Sequence, residues 1–557
     1  MTAAPVSTGV AQSRVGAETR AQYIREGWWR EQTFLDDLQS HARTKPHKLA
    51  IVGRRIAQSR TDTLDYAELA ELTDRFALAL LDLGVRRGDF VAVQLPNRWE
   101  WPPLIFACAR VGAVICPISP ICPEAELRHR LGLTRARVFV TVPQWADTRP
   151  AEIGVRLQNE LDSLVHVITV DGPVPEGACS FHAQFAAAEY EPGRTAELAG
   201  LSLGPDEPFV VLFTSGTTGE SKGVLHSQNT IHSAIRGYVD AYGLGEEWVA
   251  AVSTPLVHYS GFAQGILAGV LLGGTIAFQD IRRNEALLDL VERYGATLLY
   301  GPPATLADVA DSQEADKRGT DTLRHVVIGS GPVLPELAER VHAALGARAY
   351  SLWGMSEVGP VTMTRPSDPQ DWAAHGNGGP IPSMHTRIVR DAAVGGGVGR
   401  LQVRGASLAL GYYRREEVFA AEITEDGWFD TGDLARDDGR GGIRIVGRTR
   451  DAIVRDGLIA PMVELEALIG SHPALLEAAL VELRPDPGGN GSICAVVVPY
   501  GGAETPSLEQ IRALLRAAGQ DERFQPDRIE ALPALPKTLT GKIRKVELRE
   551  RFTVPEH

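Results

Sequence analysis

At 557 residues with a formal net charge of −14, the chain is too long for one ordinary domain and lacks the overall basic character of nucleic-acid binders. Its 44% apolar and 23% charged residues are the balance of a soluble globular enzyme and exclude a disordered or fibrous chain. Five cysteines, Cys108, Cys116, Cys122, Cys179 and Cys494, form no CxxC pair, which points to reduced thiols in a cytoplasmic protein and away from a disulfide frame or zinc site.

The opening "MTAAPVSTGVAQSRVGAETR" has no charged region followed by an apolar core, so a secretory signal is not expected. From Phe90 short β-rich runs alternate with helical ones: "FVAVQL", a helix over 100–110, "AVICPI", a helix over 124–131, "RVFVTV". The rhythm returns in "FVVLF" (209–213), "VAAVS" (249–253), "GTIAF" (274–278), "ATLLYG" (296–301) and "HVVI" (325–328). Strand, helix, strand in series implies right-handed crossovers and parallel sheets covered on both faces. The stretch from Gly261 to Phe278 is nearly long enough to span a membrane, but Gly273-Gly274 breaks it. It reads as a buried helix followed by a strand, so no membrane span is expected.

After about residue 380 the pattern becomes antiparallel, with "HTRIVRD", "GRLQVRG" and "GIRIVGR" and the turn Asp437-Asp438-Gly439. Beyond Arg450 a smaller α+β segment includes a helix opened by a Ser507/Gln510 capping box and stopped near Gly519. The final "TVPEH" is not a peroxisomal address.

Four clusters carry chemistry. "TSGTTGESK", Thr214 to Lys222, joins glycines whose backbone N–H groups can turn onto an anion, hydroxyl donors and a lysine. Only seven of the 56 basic residues are lysines, so a Lys here is conspicuous as a compact, rotatable point charge. It is not a Walker loop, because Ser221 stands where the glycine should be. Taken alone, the cluster also fits a solvated turn. "AYSLWGMSEVG" offers Trp353 as a flat face, Ser356 as a hydroxyl and Glu357 as a carboxylate for Mg²⁺ among phosphates; a buried core aromatic is the alternative for Trp353. "GWFDTGDLA" puts Asp433 in a glycine turn, where it either accepts ribose hydroxyls or makes an Asx turn. "LPKTLTGKIRK" carries Lys542, otherwise read as a solvated basic patch.

These motifs, with "GRTRD" at 447–451 and in this order and separation, resemble the superfamily of acyl-CoA synthetases, peptide-synthetase adenylation domains and beetle luciferases, from about Trp29 to Leu548. The resemblance implies an α/β protein: a large N-terminal domain (1–449) of doubly wound parallel sheets plus a β-rich subdomain, and a small mobile α+β C-terminal domain (450–557) hinged at Arg450. It implies ATP and AMP, Mg²⁺ and coenzyme A as cofactors and a carboxylic acid as substrate.

Position by position, it implies that Thr214, Ser215, Gly216, Thr217, Thr218, Gly219 and Lys222 hold the β- and γ-phosphates. Glu357 and Thr217 would serve the metal. Gly331, Pro332, Val333, Trp353, Gly354, Met355 and Ser356 would line the adenine side, and Asp433, Ile445 and Arg448 the ribose side. Lys542 would bridge the acyl carboxylate and the α-phosphate. His258 would sit at the mouth of the acyl pocket, with Tyr259, Phe262, Gly301, Pro302 and Gly329 lining it and Met355 beside them. The segment "TPLVHYSGFAQG" is most similar to ligases of cyclic or bulky aliphatic acids, such as cyclohexanecarboxylate–CoA ligases; terpenoid, medium-chain and aromatic acids stay open.

One stretch departs from those relatives, which read roughly "RGGENIPVVEVE" where this chain has "RDGLIAPMVELE", Arg455 to Glu466. Gly457 is kept in the loop expected to line the thiol tunnel. The loss of one glycine restricts φ, and the loss of Glu-Asn removes polar groups. Two alternatives to a full ligase follow: a specialist accepting an acyl-AMP from a partner adenylating enzyme, and an acyl-AMP ligase loading a carrier protein. A luciferase-like oxygenase and a nucleotide-binding pseudoenzyme are more remote. A homodimer is compatible with the sequence.

Overall fold

The computed structural model describes residues 15–191, 193–214, 221–390, 397–483, 491–537 and 543–553. Two large sheets form its body. In the first, eight strands run in the order Gly411–Tyr412, Lys222–Ser227, Pro208–Thr214, Val114–Pro117, Phe90–Gln94, Val138–Thr141, His166–Thr169, Cys179–Ser180. The strands from Pro208–Thr214 to Cys179–Ser180 are mutually parallel. Their inner members are buried throughout, as strands covered by helices on both faces must be.

The second sheet has nine strands. Its parallel centre is built from Leu49–Arg55, Thr275–Gln279, Val249–Val252, Leu298–Gly301, His325–Ile328 and Arg348–Met355. The runs expected from Phe90 to Ile328 all form strands. The pair Leu49–Arg55 and Arg60–Asp65, an antiparallel hairpin at one edge, lay upstream of that reading. The apolar stretch after Gly261 becomes a π-helix (Ser260–Leu267), a short α-helix (Ala268–Leu272) and a strand. No helix among the described residues is long and apolar enough to cross a membrane.

Capping boxes open some of the helices. Ser227 and Thr230 form a capping box opening Gln228–Tyr242, and Asp65 and Glu68 form another opening Tyr66–Asp82. One large cluster of buried side chains, including Phe76, Trp101, Phe106, Phe209, Tyr238 and Phe262, runs between the two sheets.

A four-stranded antiparallel sheet follows, in the order Met384–Val389, Gly399–Gly405, Phe429–Asp437, Ile443–Arg448. The small C-terminal domain holds a three-stranded sheet (Leu475–Leu483, Ser492–Pro499, Arg528–Ala531) with its own apolar clusters. Its helix Leu508–Ala517 carries the expected Ser507/Gln510 box.

Candidate active site

The strand Pro208–Thr214 ends at the carboxyl edge of the first sheet, and the strand Lys222–Ser227 runs back antiparallel beside it, pairing Lys222 with Thr214. Gly411–Tyr412 adds beside the returning strand with Tyr412 opposite Val224. Side chains two apart on a strand share a face, so Lys222 and Tyr412 lie on the same side. The Lys222 ammonium sits 4.6 Å from the centroid of the Tyr412 ring, a cation–π contact.

Lys222 is buried and its Nζ lies 2.8 Å from Glu422 Oε1. The Tyr412 hydroxyl stands 2.8 Å from Glu422 Oε2 and 3.0 Å from Glu357 Oε1. Burial, and then the charges of Glu357 and Glu422, push the Tyr412 phenol far above its ordinary value, so it stays protonated and donates. Glu422 and Tyr412 complete a line from Lys222 to Glu357 that motif reading did not include. Their only sequence signal is an ordinary Gly-Tyr-Tyr run followed by an acidic helix.

Glu357 lies on the turn of a hairpin between Arg348–Met355 and Gly359–Met363. The register shifts between Trp353 and Gly354. A Cβ on Gly354 would come within 2.2 Å of the Gly359 carbonyl, so only glycine lets the two strands approach there. The next carbonyl but one, of Ser356, lies 2.7 Å from His226 Nε2. A carbonyl only accepts, so Nε2 carries the proton and Nδ1 faces Thr230 Oγ1 at 2.9 Å. Burial lowers the His226 pKa to about 4, keeping the ring neutral.

On the hairpin's first arm, Trp353 Nε1 donates to Asp433 Oδ2 at 3.0 Å. Asp433 pairs directly with Arg448 across adjacent strands, and their side chains meet at 3.2 Å. The glycine-turn expectation for Asp433 is corrected here. It lies within the nine-residue strand Phe429–Asp437, and the Asx contact belongs to Asp430, whose Oδ1 accepts from Gly432 N. In the next strand Ile445 N donates to Asn377 Oδ1 and Asn377 Nδ2 donates to Ser351 Oγ, tying the small sheet to the large one. Hydrogen bonds and ion pairs thus link Lys222 to Glu357 and Trp353 to Asp433 and Arg448, and one hairpin carries both Glu357 and Trp353.

The remaining expected residues flank this set. Tyr259 and the fully buried Phe262 open the π-helical segment, Phe262 packing 5.9 Å from Phe209. His258 is half-buried just before them. Gly301 ends the strand Leu298–Gly301, and Pro302 is the N-cap of the helix Pro303–Ala315. Gly329 abuts the hydroxyl of Tyr300; burial leads the causes that push this phenol up to about 12, against hydrogen bonds to Ser260 and Gln264. Gly331 and Pro332 are half-buried, Val333 is buried, and Met355 packs against the main core.

Arg450 is exposed, and Asp451 beside it pairs with Arg549 of the last helix. Ser215, Gly216, Thr217, Thr218, Gly219 and Lys542 lie outside the described residues. The altered loop forms a two-residue hairpin between Val454–Arg455 and Leu458–Ile459. Asp456 takes φ 49° and Gly457 φ 71°, the pattern of a type I′ turn. The expected restriction of φ at position 456 is therefore met by an Asp that adopts the left-handed conformation, which Asp tolerates better than most residues.

Mg²⁺ is commonly held by one or two carboxylates together with substrate phosphates. Glu357, a hard oxygen donor linked through Tyr412 and Glu422 to the Lys222 ammonium, fits that donor set.

The family profile described as AMP-binding enzyme matches residues 38–413, and that of the AMP-binding enzyme C-terminal domain matches 464–542. The chain is similar to the medium-chain fatty-acid–CoA ligase of Escherichia coli, at 31% identity over 96% of this chain and 93% of that one. It is 33% identical to the salicyl-AMP ligase / salicyl-S-ArCP synthetase of Mycobacterium tuberculosis, over 95% and 92%. The ATP-bound crystal structure of MatB from Rhodopseudomonas palustris superposes with a TM-score of 0.79 at 25% identity, covering 94% of this chain and 99% of that one. The chain belongs to the AMP-binding enzymes, the adenylate-forming ligases.

Proposed function

We propose that the chain is an AMP-forming acid–CoA ligase that converts a hydrophobic, cyclic or bulky carboxylic acid to its CoA thioester through an acyl-adenylate. In the first step a carboxylate oxygen attacks the α-phosphorus of ATP, the bond to the β-phosphate oxygen breaks, and pyrophosphate leaves. In the second, the CoA thiol loses its proton and adds to the acyl carbonyl, and AMP leaves. Such in-line chemistry depends mostly on positioning and charge stabilisation. Lys222 and the loop from Thr214 to Gly219 would hold the β- and γ-phosphates, Asp433 and Arg448 the ribose, and Trp353 the adenine side. Lys542 would neutralise the charge developing at the α-phosphate. Bound Mg²⁺, held at Glu357, supplies positive charge to the phosphates.

The observation that carries this reading is the linkage of a phosphate-seeking set (Lys222, Glu357) and a ribose-seeking set (Asp433, Arg448) through one hairpin. The acid would enter beside Tyr259, Phe262 and Met355, an apolar wall of the kind that holds an apolar ligand with few polar groups. We place the domain boundary at Arg450, with rotation of residues 450–557 presenting Lys542 for the first step and the 455–458 hairpin for the second. Glu464 of the C-terminal domain contacts Arg436 and Arg444 of the antiparallel sheet, and such a rotation would break these pairs. The test is a panel of cyclic, medium-chain and aromatic acids with ATP and CoA, reading pyrophosphate and thioester. Silence across the panel in both readouts would remove the proposal.

A second reading, a specialist in thioesterification of supplied acyl-AMP, draws on Leu458 and Ile459, which stand where polar residues are expected and pack half-buried against apolar clusters. Equal thioester output from acid plus ATP and from synthetic acyl-AMP, each with CoA, would eliminate it.

A further inference from the structure

We propose that Glu422 is a positioning residue of the adenylation step: it holds the Lys222 ammonium in the free enzyme and surrenders it to the incoming triphosphate, thereby setting the affinity for MgATP. This rests on the ATP-site reading above. Glu422 lies between the two family-matched segments, 38–413 and 464–542.

The two partners of the pair are unequally buried. The Lys222 side chain is 8% exposed and that of Glu422 is 30% exposed. A buried ammonium cannot be left without an anion, whereas a carboxylate in contact with water can be. Glu422 keeps a second anchor, because its Oε2 accepts from the Tyr412 hydroxyl at 2.8 Å. The carboxylate therefore stays in place when the lysine leaves. The lysine, a point charge on a flexible stem, can swing between carboxylate and phosphate without moving the strand that bears it.

Phosphate binding at Lys222 thus exchanges one anion for another, and breaking the pair is a fixed cost on nucleotide affinity. The arrangement also places the ammonium on the same line of contacts as Glu357, since the Tyr412 hydroxyl reaches both carboxylates. One phenolic proton serves one carboxylate at a time. Movement of Lys222 away from Glu422 leaves that carboxylate as the stronger acceptor and draws the hydroxyl away from Glu357, just as the metal side of the site is needed. Glu422 follows the short helix Glu416–Ala421 as its C-cap residue, so an isosteric change at this partly exposed position is compatible with folding.

The test measures binding of MgATP and of pyrophosphate to the full-length enzyme by calorimetry, for the wild type and for Glu422→Gln, Glu422→Asp and Lys222→Ala. Glu422→Gln keeps an acceptor for Tyr412 but removes the charge, and the Kd of both ligands is expected to fall about five-fold, the size of a partly exposed ion pair. Glu422→Asp restores the charge and should return both constants toward the wild-type values. Lys222→Ala should weaken both. An unchanged or weakened affinity in folded Glu422→Gln, with Lys222→Ala still weakened, overturns the role of Glu422 alone. No change in either variant overturns the ATP-site reading itself. If Glu422→Gln does not accumulate folded, Glu422→Ala is read the same way.

Discussion

Trp353 and Asp433, eighty residues apart, meet at 3.0 Å, the indole N–H donating to the carboxylate. With Arg448 on the other oxygen at 3.2 Å, the carboxylate is held between a planar donor and a cation. Trp353 therefore orients Asp433, the group proposed to take the ribose hydroxyls. Trp353→Phe keeps an aromatic face and loses the donor. A hydrogen bond to a charged group contributes about 1.5–3 kcal/mol, so the KM for ATP should rise roughly ten-fold or more, with the KM for the acid little changed. Initial rates of pyrophosphate release at varied ATP check this. Equal rises for ATP and acid would show instead that the tryptophan merely supports the fold.

Lys542→Ala should lower adenylate formation from acid and ATP by roughly 10²–10³-fold, the usual loss for a preorganised charge, and spare thioester formation from supplied acyl-AMP and CoA. Isotope exchange between pyrophosphate and ATP reads the first step, and a coupled thiol assay the second. If both steps survive unchanged, the ammonium acts elsewhere.

The parallel framework was legible because buried strands flanked by helices leave short, near-continuous apolar runs. The motif residues were legible through resemblance, and Trp353, Asp433 and Arg448 do converge. Glu422 was not legible. It reaches Lys222 across two hundred positions, and only the placement of a two-residue strand, Gly411–Tyr412, at the sheet edge brings its helix there. In "DTGD" the Asx alternative falls to Asp430 and not Asp433, because turn chemistry is local, whereas pairing with Arg448 extends a strand through the glycine. Tertiary pairing overrode a turn signal in one case and supplied a partner in the other.

Acid should destabilise the fold around the hairpin that carries Ser356. Burial lowers the pKa of His226 and of His232 from 6.5 to about 4. Between those values the unfolded chain binds protons that the folded chain refuses, so stability declines as pH falls from 6.5 toward 4 and loses nothing further from these groups below it. Each contributes on the order of 3 kcal/mol over that window. Because His226 donates to the Ser356 carbonyl, a neutral isostere that cannot titrate should flatten the decline. Denaturant midpoints across pH 4–7 for wild type and His226→Gln check it, and identical slopes would refute the assignment.

Tyr259 carries a buried hydroxyl with no hydrogen-bond partner among the described residues. An unsatisfied buried hydroxyl costs about 1–3 kcal/mol, so Tyr259→Phe should raise stability, seen as a higher thermal midpoint, and leave the KM for the acid unchanged. A fall in the midpoint would mean that the hydroxyl has a partner in solution. A raised KM would mean that the partner is the substrate.

The hairpin of Val454–Arg455 and Leu458–Ile459 turns on two residues with positive φ, Asp456 at 49° and Gly457 at 71°. A β-branched side chain is disfavoured at such angles, at a cost of about 1–2 kcal/mol per residue. Gly457→Val should therefore distort the turn while the apolar side chains of Leu458 and Ile459 keep the strands attached. If the hairpin serves the thiol step, thioester formation from acyl-AMP and CoA should fall about ten-fold, a change of 1.4 kcal/mol in the barrier. Adenylation from acid and ATP should hold. That pattern is the reverse of the one expected for Lys542→Ala, so the two variants measured side by side separate the half-reactions without any assumption about the acid. Asp456→Gly relieves the same strain and should leave both steps intact. A parallel loss of both steps in Gly457→Val would reduce the hairpin to a support of the C-terminal domain and remove it from the thiol path.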